Sequence, residues 1–324
     1  MKKRIEILSK TAAHWVGDGF HVQSVISYPR YGDRISPFLL LDYAAPREFA
    51  PTTKYRGVGQ HPHRGFETVT IAYQGKVEHR DSLGNHGVIA PGDVQWMTAG
   101  SGILHEEWHE QEFAKSGGVF EVIQLWINLP AKHKMTRPKY QELVAASIPK
   151  IQLNSNLSMR VIAGNYQGVS GPANTFSPVH LWELSGTSQG RLQIDLHPAY
   201  STLIFLRSGR AVISMGYIES RGETPRNHLQ HNLLNDPAKE SSGDEETVIR
   251  SGELAILPTY FVEPTFISPI IPLHLQLLEP CELLILHAEP LNEPIVGNGP
   301  FVMNTMQEIE QAYQDYAEGK LGGR

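Results

Sequence analysis

Among 324 residues there is a single cysteine, Cys281, so no internal disulfide can form and stability has to come from packing. It sits in the apolar run Leu275–Leu286, which predicts a buried small hydrophobe rather than a reactive thiol. Long hydrophobic runs are missing too. The basic start Met1-Lys-Lys-Arg4 is followed within a few residues by Ser9, Lys10, His14 and Asp18, which fits neither a signal peptide nor a membrane span. A cytoplasmic protein that does not engage membranes is expected. There is no excess of positive charge: the net charge is −6, and nucleic acid is not expected as a direct partner. Glycine patterns of the Rossmann or phosphate-loop type are also missing, so no nucleotide cofactor is expected.

Short strand and turn signals fill the chain instead. Between Phe38 and Pro130 no long amphipathic helix intervenes, and Val69, Ile71 and Tyr73 alternate with Thr68, Thr70 and Ala72 before Gln74-Gly75. That spacing predicts an all-β barrel or sandwich. The second half repeats the first. Gln74-Gly75-Lys-Val77 is echoed by Ser208-Gly209-Arg-Ala-Val212, and Pro91-Gly92-Asp93-Val94 by Ser251-Gly252-Glu253-Leu254. The offset grows between the two pairs, which locates a polar insertion at about residues 219–247. The expected division is 1–137 and 138–324, with the segment Pro130 to Pro149 as connection. The chain closes on Asn304-Thr305-Met-Gln-Glu308, a capping box, with Met306, Ile309, Tyr313 and Tyr316 at helical spacing.

Two short runs carry the chemistry. His61-Pro62-His63 and, about forty residues on, His105-Glu106-Glu107 offer three imidazoles and a carboxylate. Residues i and i+2 of extended chain point to the same side. Such a set suits one transition metal: imidazole favours iron, copper, nickel or zinc, and one carboxylate among nitrogen ligands argues against calcium. His105-Glu-Glu-Trp-His109 also reads formally as HExxH, a zinc-protease signature. That reading needs a helix, while Gly100-Ser-Gly102 and the strand-like Val94 to Thr98 put His105 on a strand, and it leaves the HPH run without a role. Applying the repeat offsets to His61, His63, His105 and Glu107 gives Asp195, His197, Thr265 and Ile267, so a second metal site is not expected.

The segments HPHRGFETVTIAYQGKVEH, APGDVQWMTAGSGILHEE and NGPFVMNT resemble the pirin family of two-cupin proteins across nearly the whole chain. The resemblance implies a bicupin of two antiparallel β-barrels with a short C-terminal helix. It also implies one Fe2+ per chain in the N-terminal cupin, with His61, His63, His105 and Glu107 as ligands; the missing second ligand set makes the C-terminal cupin an expected structural or partner-binding unit. Four protein ligands on a six-coordinate ion leave two positions for water, dioxygen or a chelating substrate. Trp96, Met97 and Phe66 are candidate walls of the site, while Trp126 is read as core. Glu67, which stands where the general cupin pattern has its first-motif carboxylate, is a candidate partner of Arg64 or of a ligand histidine, with a surface salt bridge as the alternative.

Two functions from different classes follow from the resemblance. One is a quercetin 2,3-dioxygenase-type (flavonol 2,4-dioxygenase) activity, in which a flavonol or other phenolic reacts with O2, carbon monoxide leaves, and Glu107 takes the substrate proton as the catalytic residue. The other is a non-enzymatic, iron-dependent regulatory module that binds a transcription factor or metabolic enzyme.

Overall fold

The protein is described here by a computed structural model covering residues 4–216, 219–220, 246–262 and 269–322. Most of the polar insertion expected at about 219–247, and both Thr265 and Ile267, lie outside the described residues.

The chain is a bicupin: two barrels, each closed by a large and a small antiparallel sheet. In the first barrel the seven-stranded sheet runs Lys139–Leu143, Val94–Thr98, Phe66–Gln74, Gly118–Asn128, Phe38–Phe49, Phe20–Ser27, His14–Val16, and the four-stranded sheet runs Gly57–His63, Ile103–His109, Val77–Asp81, His86–Ile89. The second barrel has a seven-stranded sheet centred on Ser201–Ser208 and Cys281–Ala288. Facing it is a sheet built from Arg191–Leu196, Pro269–Leu277, Arg210–Met215 and Thr247–Arg250. The sequence repeat is visible as geometry. Gly75 and Gly209 each turn between equivalent strands at positive φ (75° and 92°), as do Gly92 and Gly252 (92° and 79°), a backbone region that glycine enters without steric cost.

The large sheets of the two barrels share one core, in which Val69, Ile71, Trp96, Ile123 and Leu125 of the first meet Leu203, Phe205, Leu284 and Leu286 of the second. Phe66–Gln74 is therefore buried on both faces: its odd-numbered residues enter that core, while Thr68 and Thr70, each about 1% exposed, face the barrel interior. The buried Glu121 crosses the seam, accepting from Tyr43 Oη at 2.7 Å and Arg207 Nη1 at 2.8 Å. The Arg207 guanidinium also lies 4.0 Å over the Tyr73 ring.

Both chain ends cross the division expected at residue 137. Strand Glu6–Leu8 pairs with Leu254–Ile256 in the second barrel, and Lys139–Leu143 pairs with Val94–Thr98 in the first. The C-terminal segment returns to the first barrel through the hairpin Val296–Asn298/Phe301–Met303 and helix Met306–Ala317. The expected capping box is formed by Thr305 and Glu308. Of the apolar positions foreseen in this helix, Ile309 is buried together with Ala312, whereas Met306, Tyr313 and Tyr316 are exposed on the near-solvent side. Cys281 is buried, with its thiol donating to the carbonyls of Arg210 and Glu279. Among the described residues no helix is long and apolar enough to cross a membrane.

Removing Glu121 leaves a largely buried guanidinium with only its longer, 3.5 Å pairing to Glu282, whereas removing only the Tyr43 hydroxyl leaves Glu121 its other donors. Glu121→Ala should cost about 3 kcal/mol and Tyr43→Phe about 1 kcal/mol in urea unfolding. Equal losses would show that the seam does not depend on the ion pair.

Candidate metal centre

The two expected ligand runs are neighbouring strands. Gly57–His63 and Ile103–His109 pair antiparallel, with His105 opposite His61 and Ile103 opposite His63. Burial along Ile103–His109 alternates strictly, so His105, Glu107 and His109 all point inward. From His105 to Glu107 the register advances two residues on one strand and three on the other, from His61 to Val58. This is a bulge in the HPH strand, and the Gly59 carbonyl within it accepts from His61 Nδ1 at 2.8 Å. A carbonyl can only accept, so Nδ1 carries the proton and the Nε2 lone pair is left free.

The three imidazoles converge. Their ring centroids lie 4.8 Å (His61–His63), 4.3 Å (His61–His105) and 4.9 Å (His63–His105) apart, and one nitrogen from each falls within 4.8 Å of the others, the spacing needed to hold one ion. His63, His105 and Glu107 are 5%, 1% and 8% exposed. His63 Nδ1, both nitrogens of His105 and Glu107 Oε1 are buried with no hydrogen-bond partner among the described residues. Orphaned polar atoms are costly in a folded protein unless something completes them, and the three imidazole nitrogens, without Glu107, lie close enough together for one cation to do so. Burial drives the titrations the same way. It pushes His63 down to about 3, with the neighbouring His61 adding to the effect, and lowers His105 well below its ordinary value, so both imidazoles are neutral donors. It pushes the Glu107 carboxyl up to about 7, partly offset by the Thr70 hydroxyl.

Other expected residues fall in different places. Phe66 lies beside the centre, 5.1 Å from His63 and stacked at 4.3 Å on Trp126. Trp126, expected in the core, is half-buried and 5.2 Å from His63. Trp96, expected at the wall, belongs to the core between the barrels. The two are exchanged because each strand buries both faces, and only the sheet register tells which parity faces the interior. Met97 is on the interior parity, packed with Ala99, Ile103 and Tyr140. Glu67 neither meets Arg64 nor lies at the surface: it is 2% exposed and accepts from Thr98 Oγ1 at 2.7 Å. Arg64 pairs with Asp315 instead, at 2.8 Å.

His109, the last member of the HExxH pattern, sits away from the cluster. Its Nε2 donates to Gly19 O at 2.8 Å, and its ring stacks on Phe120 at 4.3 Å. His105 lies on a strand, as the competing reading of this motif required it not to. In the second barrel, His287 is bonded through Nε2 to the His197 N–H and through Nδ1 to Thr202, and His197 Nδ1 accepts from the Ala199 N–H.

Sequence reasoning missed His79. It is 1% exposed, stands directly opposite Glu107 in the strand ladder and stacks on Tyr140 at 5.4 Å. The run Val77-Glu-His79 was visible, but nothing local tells which residue of another strand it faces.

Comparison with known proteins agrees with this architecture. Residues 19–127 match the Pirin family model, and residues 266–322 match that of the Pirin C-terminal cupin domain. A Pseudomonas aeruginosa protein described as a candidate quercetin 2,3-dioxygenase is 44% identical, with 99% of both chains aligned. A tomato (Solanum lycopersicum) pirin-like protein is 33% identical over 94% of this chain and 88% of its own. The crystal structure of quercetin 2,3-dioxygenase from Acinetobacter baumannii superposes with a TM-score of 0.83 at 43% identity, covering 99% of this chain and 98% of that one. The chain belongs to the pirin family.

Burial also pushes the Glu67 carboxyl up to about 7, despite the Thr98 hydrogen bond. A carboxyl whose folded pKa is raised favours folding fully below its unfolded value of 4.5 and loses that contribution as pH rises through 7. Glu67→Gln keeps an acceptor for Thr98 without the charge. It should match the wild type in thermal stability near pH 4.5 and exceed it at pH 8, by up to about 3 kcal/mol. Identical pH profiles would refute a neutral Glu67.

Proposed function

We propose that this chain is a mononuclear iron dioxygenase of the quercetinase type, acting in the cytosol on a flavonol or similar phenolic with O2. His61, His63, His105 and Glu107 would hold one Fe2+. The observation that carries the proposal is the convergence of three imidazoles, two of which have buried nitrogens without partners among the described residues; Glu107, on the same strand face as His105 and with Oε1 open, lies outside that trio. The Acinetobacter baumannii enzyme, similar over nearly the whole chain, supports the reaction class.

When bound, the metal supplies Lewis acidity, substrate orientation and electron transfer. The rest is done by the chain. His61 is held in one tautomer by Gly59, which aims Nε2 inward. The stacked Phe66 and Trp126 rings offer a flat apolar wall beside His63, suited to a planar phenolic ring, and Trp126 is reachable from solvent. Glu107 points inward on the same strand face as His105, and its open Oε1 would accept the substrate hydroxyl proton.

Elemental analysis of protein loaded anaerobically with Fe2+ tests the ligand set: His105→Ala should lose the metal, and His109→Ala, whose ring is occupied by Gly19 and Phe120, should keep it. The reverse pattern would sink the assignment. Mixing the loaded protein with quercetin and O2 should release carbon monoxide. Stoichiometric iron without carbon monoxide would favour the regulatory reading, with a protein partner in place of a substrate.

A further inference from the structure

The last segment of the chain grips both ligand-bearing runs from behind. Arg64, between the ligand strand and Gly65, is only 4% exposed. Its Nε donates to Ser101 O at 2.7 Å, in the Gly100–Gly102 turn that leads to His105, and its Nη1 donates to Asp315 Oδ2 at 2.8 Å. One guanidinium thus spans the HPH strand, the turn before the second ligand run and the C-terminal helix. The backbone follows the same path. Arg64 N donates to Pro300 O and Val302 N to Arg64 O. The buried Lys134 donates to Gly65 O, Asn128 Oδ1 and Val302 O at 2.7–2.8 Å. At the far end, Gly322 N donates to Gly102 O, and a side chain at Gly102 would strike Leu321.

Asp315 is oddly placed by helix chemistry alone. It lies in the last turn of Met306–Ala317, where the helix dipole disfavours an acid, and that turn carries no basic residue. A residue that breaks a local preference points to a demand elsewhere. Here the demand is the buried guanidinium, which needs a carboxylate.

We propose that Asp315 is a positioning residue for the metal centre: by holding Arg64 against Ser101, it fixes the separation between the His61/His63 strand and the turn that delivers His105 and Glu107. This rests on the reading of those four residues as ligands. Asp315 touches none of them and acts only through Arg64.

The test is titration of metal-free, full-length protein with Co2+, following affinity and the visible d–d spectrum. Asp315→Asn should lower affinity by about 10- to 100-fold, the range for residues that orient metal ligands, and shift the bands. Asp315→Glu should restore much of both. Arg64→Lys, which keeps the charge but cannot reach Ser101 and Asp315 together, should resemble Asp315→Asn and gives a second route if that variant folds poorly. Tyr313→Ala is the control. Tyr313 seats the same helix on Phe301 without touching Arg64, so this variant should lower the melting temperature while keeping affinity and spectrum. Wild-type affinity and bands in Asp315→Asn, or an equal loss in Tyr313→Ala, would overturn the positioning role. A wild-type protein that binds no Co2+ would instead overturn the ligand assignment, and this inference with it.

Discussion

Three polar side chains are held where water cannot satisfy them, and much of the first barrel follows from that. An imidazole or carboxyl moved out of water without a partner costs several hydrogen bonds' worth of solvation. His63, His105 and Glu107 are all nearly fully buried with nitrogens or oxygens left open. A flexible chain would relax by rotating such groups to solvent or to backbone, and one neighbour shows that route: His109, on the same strand face, donates to the Gly19 carbonyl. For the other three, relaxation is blocked because the two strands that carry them are locked in register and walled by Phe66, Met97 and Ile103.

Such locking needs rigid backing, and the chain supplies it by crossing its ends between the barrels. The first strand completes a sheet of the second barrel, and the last hairpin and helix close over the back of the first barrel's two histidine-bearing runs. The shared core of the two large sheets and the Tyr43–Glu121–Arg207 bridge join the barrels along their length. A cut at residue 137 would remove an edge strand from one barrel and the Asp315 and Val302 contacts from the other. The two halves repeat in sequence, yet each is finished by a piece of its sibling.

What was legible in the sequence had local causes. Alternation on the two histidine-bearing strands follows from the two-residue period of extended chain, and the repeat follows from turns that need glycine at positive φ. The capping box of the last helix is likewise a matter of residues three apart. What escaped depended on partners distant in sequence. Arg64 and Asp315 are 251 residues apart, and Lys134 looks like an ordinary linker lysine until its three acceptors are seen. The exchange of Trp96 and Trp126 has the same origin: in a strand buried on both faces, hydrophobicity does not reveal which parity faces the interior. The register does. Ile123, Leu125 and Ile127 enter the core between the barrels, so Trp126 faces the centre; Val94 and Trp96 share that core, so Gln95 and Met97 face inward.

The same parity separates the two buried carboxyls. Glu67 and Glu107 are alike in burial and in the upward push on their titration, to about 7 in both. Residue type and position in the motif would let either serve a metal. Glu67, however, shares its strand face with Val69 and Ile71, which enter the core between the barrels, and it already accepts from Thr98. Glu107 shares its face with His105 and keeps Oε1 free. A carboxyl that turns away from the imidazoles and has a fixed donor is a structural acid. One that shares the inward face of His105 with an open oxygen suits the proposed roles of ligand and proton acceptor. Strand parity and one hydrogen bond, rather than acidity, are what make Glu107 and not Glu67 the carboxyl of the proposed chemistry.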